Sequence, residues 1–143
     1  MGVIAHVLAA KGTQVHMIGP ADTVFDAVKK MVELNSGSLL VTEGDEIRGI
    51  ITERDYLRNI VLAGRTSKTT QVGEIMTTQI VVAKPDTTVE EAMAIMTDRR
   101  TRHLPVVDQG KIAGLVSIGD LVKQISQDRK FEVQYLTDYI TAR

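Results

Sequence analysis

The phrase GIITERDYLRNI, Gly49 to Ile60, returns as GLVSIGDLVKQI, Gly114 to Ile125. The two copies stand 65 residues apart, and the register runs without a gap from Val15–Ile60 onto Ile80–Ile125. Eleven of those 46 positions are identical, among them Pro20/Pro85, Thr23/Thr88, Met31/Met96, Leu39/Leu104 and Ile47/Ile112. Most of the remaining core positions are apolar in both copies. A gapless register with matched periodicity is a duplication, so any fold must use one small unit twice.

Each copy reads in the same order. TQVHMI (13–18) and TQIVVA (78–83) are rich in β-branched residues and predict short strands. TVFDAVKKMVEL (23–34) and TVEEAMAIMTDR (88–99) carry apolar residues at helical spacing, such as Val24, Ala27, Val28, Met31 and Val32. SLLVTEGDEIRGIIT (38–52) and LPVVDQGKIAGLVS (104–117) each read as strand, turn, strand, with Gly44-Asp45 and Gln109-Gly110 at the turns. ERDYLRNIVLAG (53–64) and IGDLVKQIS (118–126) are predicted helices. The order is β-α-β-β-α, twice. A lone unit of this size cannot bury its sheet and both helices, so the copies are expected to pack about a pseudo-two-fold axis. The expected class is α/β of the α+β kind. The expected divisions are an N-terminal helix (1–12), a first motif (13–64), a linker (65–77), a second motif (78–126) and a C-terminal helix or tail (127–143). Phe131, Tyr135 and Tyr139 in that tail are three of the five aromatics, and a dimer partner is the expected object for it. VGEIM, within the linker, predicts a helical turn.

Composition narrows the function. Seventeen basic against eighteen acidic residues leave a net charge of −1, without the basic field of a general nucleic-acid binder. Stacking aromatics are few, which argues against RNA and DNA alike. There is no cysteine, so thiol catalysis, thiolate metal sites and disulfides are excluded. No apolar run reaches the roughly 18 residues that span a bilayer. The start, MGVIAHVLAAKG, lacks a basic n-region, and His6 stands where a myristoylation signal needs Ser or Thr. The expectation is a cytoplasmic protein. His6, His16 and His103 are scattered, with no Ser/His/Asp set, metal-ligand spacing or P-loop, so neither catalysis nor an intrinsic metal is expected.

The repeated phrase has two physical readings. Thr52-x-x-Asp55 and Ser117-x-x-Asp120 both match the capping box, as does Thr88-x-x-Glu91 before another helix. The same geometry also suits a ligand. A helix start offers unpaired amides to an anion. A hydroxyl at the cap donates to the same phosphate, and an Asp one turn in accepts from the two hydroxyls of a ribose.

The chain resembles a tandem pair of CBS motifs, the Bateman module. The resemblance rests on GIITERDYLR and GLVSIGDLVK, RHLPVVD (102–108), GEIMT (73–77) and the Pro-x-x-Thr-Val starts at 20–24 and 85–89, and covers roughly residues 10–126. The short chain looks like the stand-alone bacterial proteins made of little more than this pair. The resemblance implies a regulatory sensor that binds AMP, ADP, ATP or NAD(H), or else S-adenosylmethionine, in clefts between the two motifs. It also implies disk-like homodimers. Asp55 and Asp120 match the ribose-binding Asp, and Thr52 and Ser117 the hydroxyl beside the phosphate. The adenine, read largely by backbone, falls among Ile18, Pro20, Ser38 and Leu39 in one copy and Ala83, Pro85, His103 and Leu104 in the other. By this resemblance the first wall pairs with Asp120 and the second with Asp55.

The copies differ where the ligand is expected. Gly37-Ser38 in the first becomes Arg102-His103 in the second, and Glu53-Arg54 becomes Ile118-Gly119. Arg102 and Arg54 are candidate phosphate contacts, with Arg99 and Arg100 weaker ones, and Gly119 leaves room for a ligand. A solvated helix end explains the Arg cluster equally. The two sites are expected to be unequal, with phosphorylated ligands favoured over S-adenosylmethionine. Occupancy is expected to shift the motif packing or dimer angle, with the tail and the 64–78 linker as moving parts, and so to control an unknown protein partner. The alternative is a ligand-independent interaction scaffold in which the phrase is only a pair of helix caps.

Overall fold

The computed structural model describes residues 2–12 and 14–128; the expected tail helix over 131–140 lies outside them. In chain order the elements are α1 (Ile4–Lys11), β1 (Met17–Ile18), α2 (Val24–Leu34), β2 (Ser38–Glu43), β3 (Glu46–Thr52) and α3 (Glu53–Tyr56). A π-helical turn (Leu57–Val61) and a 3-10 turn (Ser67–Thr69) follow, then α4 (Val72–Ile75), α5 (Val89–Arg99), β4 (His103–Asp108), β5 (Lys111–Ser117) and α6 (Ile118–Asp128). The chain divides into two compact units: Gln14–Ile80, and Val81–Arg143 joined by Met1–Thr13.

In the first-repeat unit β1 runs parallel to β2, and β2 pairs antiparallel with β3. The Thr23 hydroxyl caps α2 by accepting the Asp26 N–H at 3.1 Å. The buried stripe Val24, Ala27 and Met31 then lies on Leu39, Val41 and Ile51 of the sheet. The second-repeat unit repeats this with Thr88 capping α5, and Val89, Ala92 and Met96 packed with Leu104, Val106 and Val116. Both hairpins slip register at the same place, between Val41 and Thr42 and between Val106 and Val107. The slip is a β-bulge, and Gly49 and Gly114 stand beside it.

Three expectations change. The strand expected over 78–83 reduces to one parallel bridge, Ala83 with Val106. In the first unit the Leu40 N–H donates to the His16 carbonyl at 3.0 Å. Pro105 occupies the equivalent place and has no N–H, so that ladder cannot extend. The first copy is also shorter than 13–18, with only Met17 and Ile18 in β1. The helix expected over 53–64 is α-helical only to Tyr56; a π turn then brings the Leu62 N–H to the Leu57 carbonyl at 2.9 Å.

The third change concerns the two segments outside the repeat. Residues 65–77, expected as a linker and moving part, are built into the first-repeat unit. Val72 and Ile75 are buried in its core. Asp22 and Pro20 carbonyls accept the Val72 and Gly73 N–H at 2.8 and 2.9 Å. Helix α1 docks in the second-repeat unit in the same way. Thr87 and Pro85 carbonyls accept the Ile4 and Ala5 N–H at 2.8 and 2.9 Å. Ile4, Val7 and Leu8 join its core. The segment that leads into each repeat therefore completes the core of the other.

Candidate functional site: the two strand-to-helix junctions

At each junction a strand ends on a hydroxyl residue, and a helix starts beside the first residue of the partner strand. Thr52 lies opposite Ser38, and Ser117 opposite His103. The Glu53 N–H donates to the Gly37 carbonyl at 3.0 Å, and the Ile118 N–H to the Arg102 carbonyl at 2.8 Å.

The capping reading is realised in both copies. Thr52 Oγ1 accepts the Asp55 N–H at 3.1 Å, and Asp55 Oδ2 accepts the Thr52 N–H at 2.9 Å. Ser117 Oγ accepts the Asp120 N–H at 3.1 Å, and Asp120 Oδ2 accepts the Ser117 N–H at 2.8 Å. These bonds leave chemistry over. Each hydroxyl keeps its own proton to donate. Asp120 Oδ1 has no partner among the described residues. The first-turn amides of Arg54 and Gly119 stand where a helix supplies no acceptor.

Of the expected base-wall residues, Ile18, Ser38, Leu39, Ala83 and Leu104 are buried. The Leu39 and Leu104 side chains belong to the two cores, so only their main chain is available to a ligand. Ala83 spends both main-chain groups on the sheet, donating to Pro105 at 2.8 Å and accepting from Val107 at 2.9 Å. The Pro20 and Pro85 carbonyls are taken by α4 and α1. Arg54, Arg102 and Gly119 are exposed. A Cβ on Gly119 meets only Ser117 Oγ, at 3.6 Å, so the helix start is open there. Arg99 has only a long contact to Asp98, at 3.9 Å. Arg100 closes α5 in the left-handed conformation (φ 54°), where Asn35 closes α2 (φ 52°).

Sequence reasoning missed how each Asp is held. In the first-repeat unit the Thr77 N–H donates to the Ile50 carbonyl at 2.9 Å, and its hydroxyl to Asp55 Oδ1 at 3.1 Å. In the second, the Lys11 ammonium does both jobs, donating to the Leu115 carbonyl at 2.7 Å and to Asp120 Oδ2 at 2.6 Å. Burial, the largest single influence on Asp120, pushes its carboxyl up. The hydrogen bonds from Lys11 and Ser117 and the Lys11 charge outweigh it, so the group sits below its ordinary range. Among the described residues no group of three or more His, Asp or Glu is placed to hold a metal ion, and no helix is long and apolar enough to cross a membrane.

The CBS domain pattern matches residues 11–62 and 72–127. The chain belongs to the CBS domain family. A mitochondrial CBS domain-containing protein of Arabidopsis thaliana, CBSX3, is 48% identical over 124 residues, covering 83% of this chain. The chain spans 60% of that relative's length. The structure of a candidate signal-transduction protein with CBS domains from Burkholderia ambifaria superposes with a TM-score of 0.85 at 48% identity, covering 89% of this chain and 96% of that one. A hexameric CBS-CP12 protein from bloom-forming cyanobacteria matches at TM-score 0.76 and 29% identity, over 85% of this chain and 70% of that one. This chain is thus a CBS pair of α+β fold, similar to proteins of the signal-transduction kind.

One histidine of the second CBS motif is held below its ordinary titration range. Burial pushes His103 below its ordinary 6.5, Lys11 and Arg102 add to that, and Asp120 opposes it. A histidine depressed in the fold contributes stability that is complete above the unfolded value. That stability is lost as pH falls from about 6.5 through the folded value. The wild type is expected to lose stability across that window, and His103→Gln to show a flatter profile. Urea melts at pH 5 to 8 check this, and parallel profiles would refute it.

Proposed function

We propose that this CBS pair is an adenosine-nucleotide sensor that regulates a protein partner. Its ligand is AMP, ADP, ATP or NAD(H), with S-adenosylmethionine less suited. The observation that carries the reading is the repeated Asp and hydroxyl at a strand-to-helix junction. After both caps are satisfied, a donor hydroxyl, open amides and, at Asp120, a free carboxylate oxygen remain. A ribose diol needs the carboxylate, and a phosphate needs the hydroxyl and the amides. Arg54 and Arg102 supply positive charge for the phosphate. A ligand changes the protein's state only by binding one state better than another. Here it acts by replacing the bonds that Thr77 and Lys11 now make to the two carboxylates.

The protein is further read as a homodimer. Leu57, Val61 and Leu62 are 53%, 52% and 82% exposed, and a second copy is the occupant proposed for them. The competing reading is a ligand-independent scaffold, for which the realised caps suffice.

A thermal-shift panel of these ligands on wild type, Asp55→Ala and Asp120→Ala separates the two. Ligand at 100 times its dissociation constant adds about 2.7 kcal/mol, or about 5–10 °C for a chain of this size. A shift that an Ala variant loses is the expected result. A cooperative melt that no ligand moves would leave the scaffold. Light scattering on the same samples reads the oligomer, and a single-chain mass rules the homodimer out.

A further inference from the structure

The two repeats hold their junction Asp with equivalent bonds but different charge. In each, one residue of the lead-in segment bonds the strand carbonyl at Ile50 or Leu115 and the carboxylate at Asp55 or Asp120. Helix α4 ends at Ile75 and the Met76 backbone turns extended (φ −61°, ψ 152°), so Thr77 reaches both acceptors directly. Helix α1 continues to Lys11, which reaches them with its long side chain. Thr77 is neutral and Lys11 is a cation.

We infer that Lys11 is the ligand-selecting residue of the second-repeat junction, making it require an anionic group on the ligand beside its diol. The inference rests on the proposed nucleotide function. In the free protein the ammonium is neutralised by Asp120. A diol that claims both carboxylate oxygens, the free Oδ1 and the Oδ2 that holds Lys11, displaces the ammonium from its hydrogen bond, in a region where Arg102 is also positive. A neutral nucleoside offers nothing in exchange. A phosphorylated one brings the anion, and the ammonium turns to it on a flexible four-carbon stem that is already 35% exposed. The Thr77 junction makes no such demand, since a displaced hydroxyl can return to water. The residue that holds the junction Asp thus imposes a demand for an anion at one junction and not at the other.

The test is calorimetric titration of the full chain with adenosine, AMP and ATP. It is done in the Asp55→Ala background so that the Asp120 junction reports alone. The variants are Lys11→Met, which keeps the apolar stem, and Lys11→Arg, which keeps the charge. A charge-assisted bond at a partly exposed site corresponds to about ten-fold in affinity. AMP and ATP are therefore expected to bind at least about ten-fold tighter than adenosine to the Lys11 protein. Lys11→Met should lose that preference through weaker AMP and ATP binding, with adenosine unchanged or tighter, and Lys11→Arg should retain it. An unchanged preference in Lys11→Met overturns the inference and leaves the nucleotide function standing. So does an equal loss of all three ligands, which marks Lys11 as a support for α1 only. If none of the three binds the Lys11 protein, the nucleotide reading fails at this junction and this inference with it.

Discussion

Leu104→Ala is expected to lower the free energy of unfolding by about 2–5 kcal/mol. That is a large share of the roughly 5–15 kcal/mol that a domain has in total. Leu104 is fully buried, and its cross-strand partner Val116 is buried as completely. Val89, Ala92 and Met96 of α5, Leu121 and Ile125 of α6 and Ile4 and Val7 of α1 complete the same cluster. Elements from both ends of the sequence meet there, so relaxation around a deleted side chain is limited and a cavity remains. Leu104 also follows His103 directly, and His103 faces Ser117 at the junction. The Leu104 side chain bears on the site through its packing, since only the main chain there is available to a ligand. Urea denaturation measures the cost, and a loss below about 1 kcal/mol would show that the neighbours close the gap.

How much of this was legible in the sequence depends on what kind of signal each feature leaves. The hairpins, α2 and α5 left period-two and helical patterns, each doubled by the repeat, and they stand within a residue or so of where the pattern puts them. The caps at Thr52, Thr88 and Ser117 are local, so a four-residue spacing was enough to find them. Pro105 stands in plain view in the sequence, but its effect does not. A missing N–H matters only once the pairing of Ala83 with Val106 is known. The docking of α1 and α4 left almost no signal. Val3 bridges Thr88 as Gln71 bridges Thr23, but Val3 and Gln71 are not 65 residues apart, so the repeat register passes over them. The apolar pairs Ile4/Val7 and Val72/Ile75 were the trace available. Lys11 was beyond reach for the same reason. Its acceptors at Leu115 and Asp120 lie more than a hundred residues away, and nothing local to it marks a partner.

Gly49→Val tests that lead-in docking at its tightest point, with an expected cost of about 2–5 kcal/mol from overpacking and two broken hydrogen bonds. A Cβ at Gly49 falls 2.5 Å from the Thr77 carbonyl oxygen and 3.1 Å from Met76 Sδ. The first obstacle is main chain and cannot rotate away. It is also the oxygen that accepts the Ile50 N–H at 3.0 Å, in the bridge that positions Thr77 over Asp55. Gly114 is the same position in the second repeat, but its obstacle is Leu8 Cδ2 at 2.6 Å, the end of a side chain. Leu8 can change rotamer, at the expense of its own packing in a nearly closed core. The smaller Ala substitution therefore separates the two: Gly49→Ala should destabilise more than Gly114→Ala in matched urea melts. Equal costs, or the reverse order, would mean that side-chain crowding sets the constraint at both positions. The close approach of Thr77 to β3 would then not be what requires glycine. If the order holds, Gly49→Ala should also free Asp55 from the Thr77 hydroxyl. Gly114→Ala leaves the Lys11 bonds to work through a displaced Leu8, so its effect on Asp120 should be the smaller of the two.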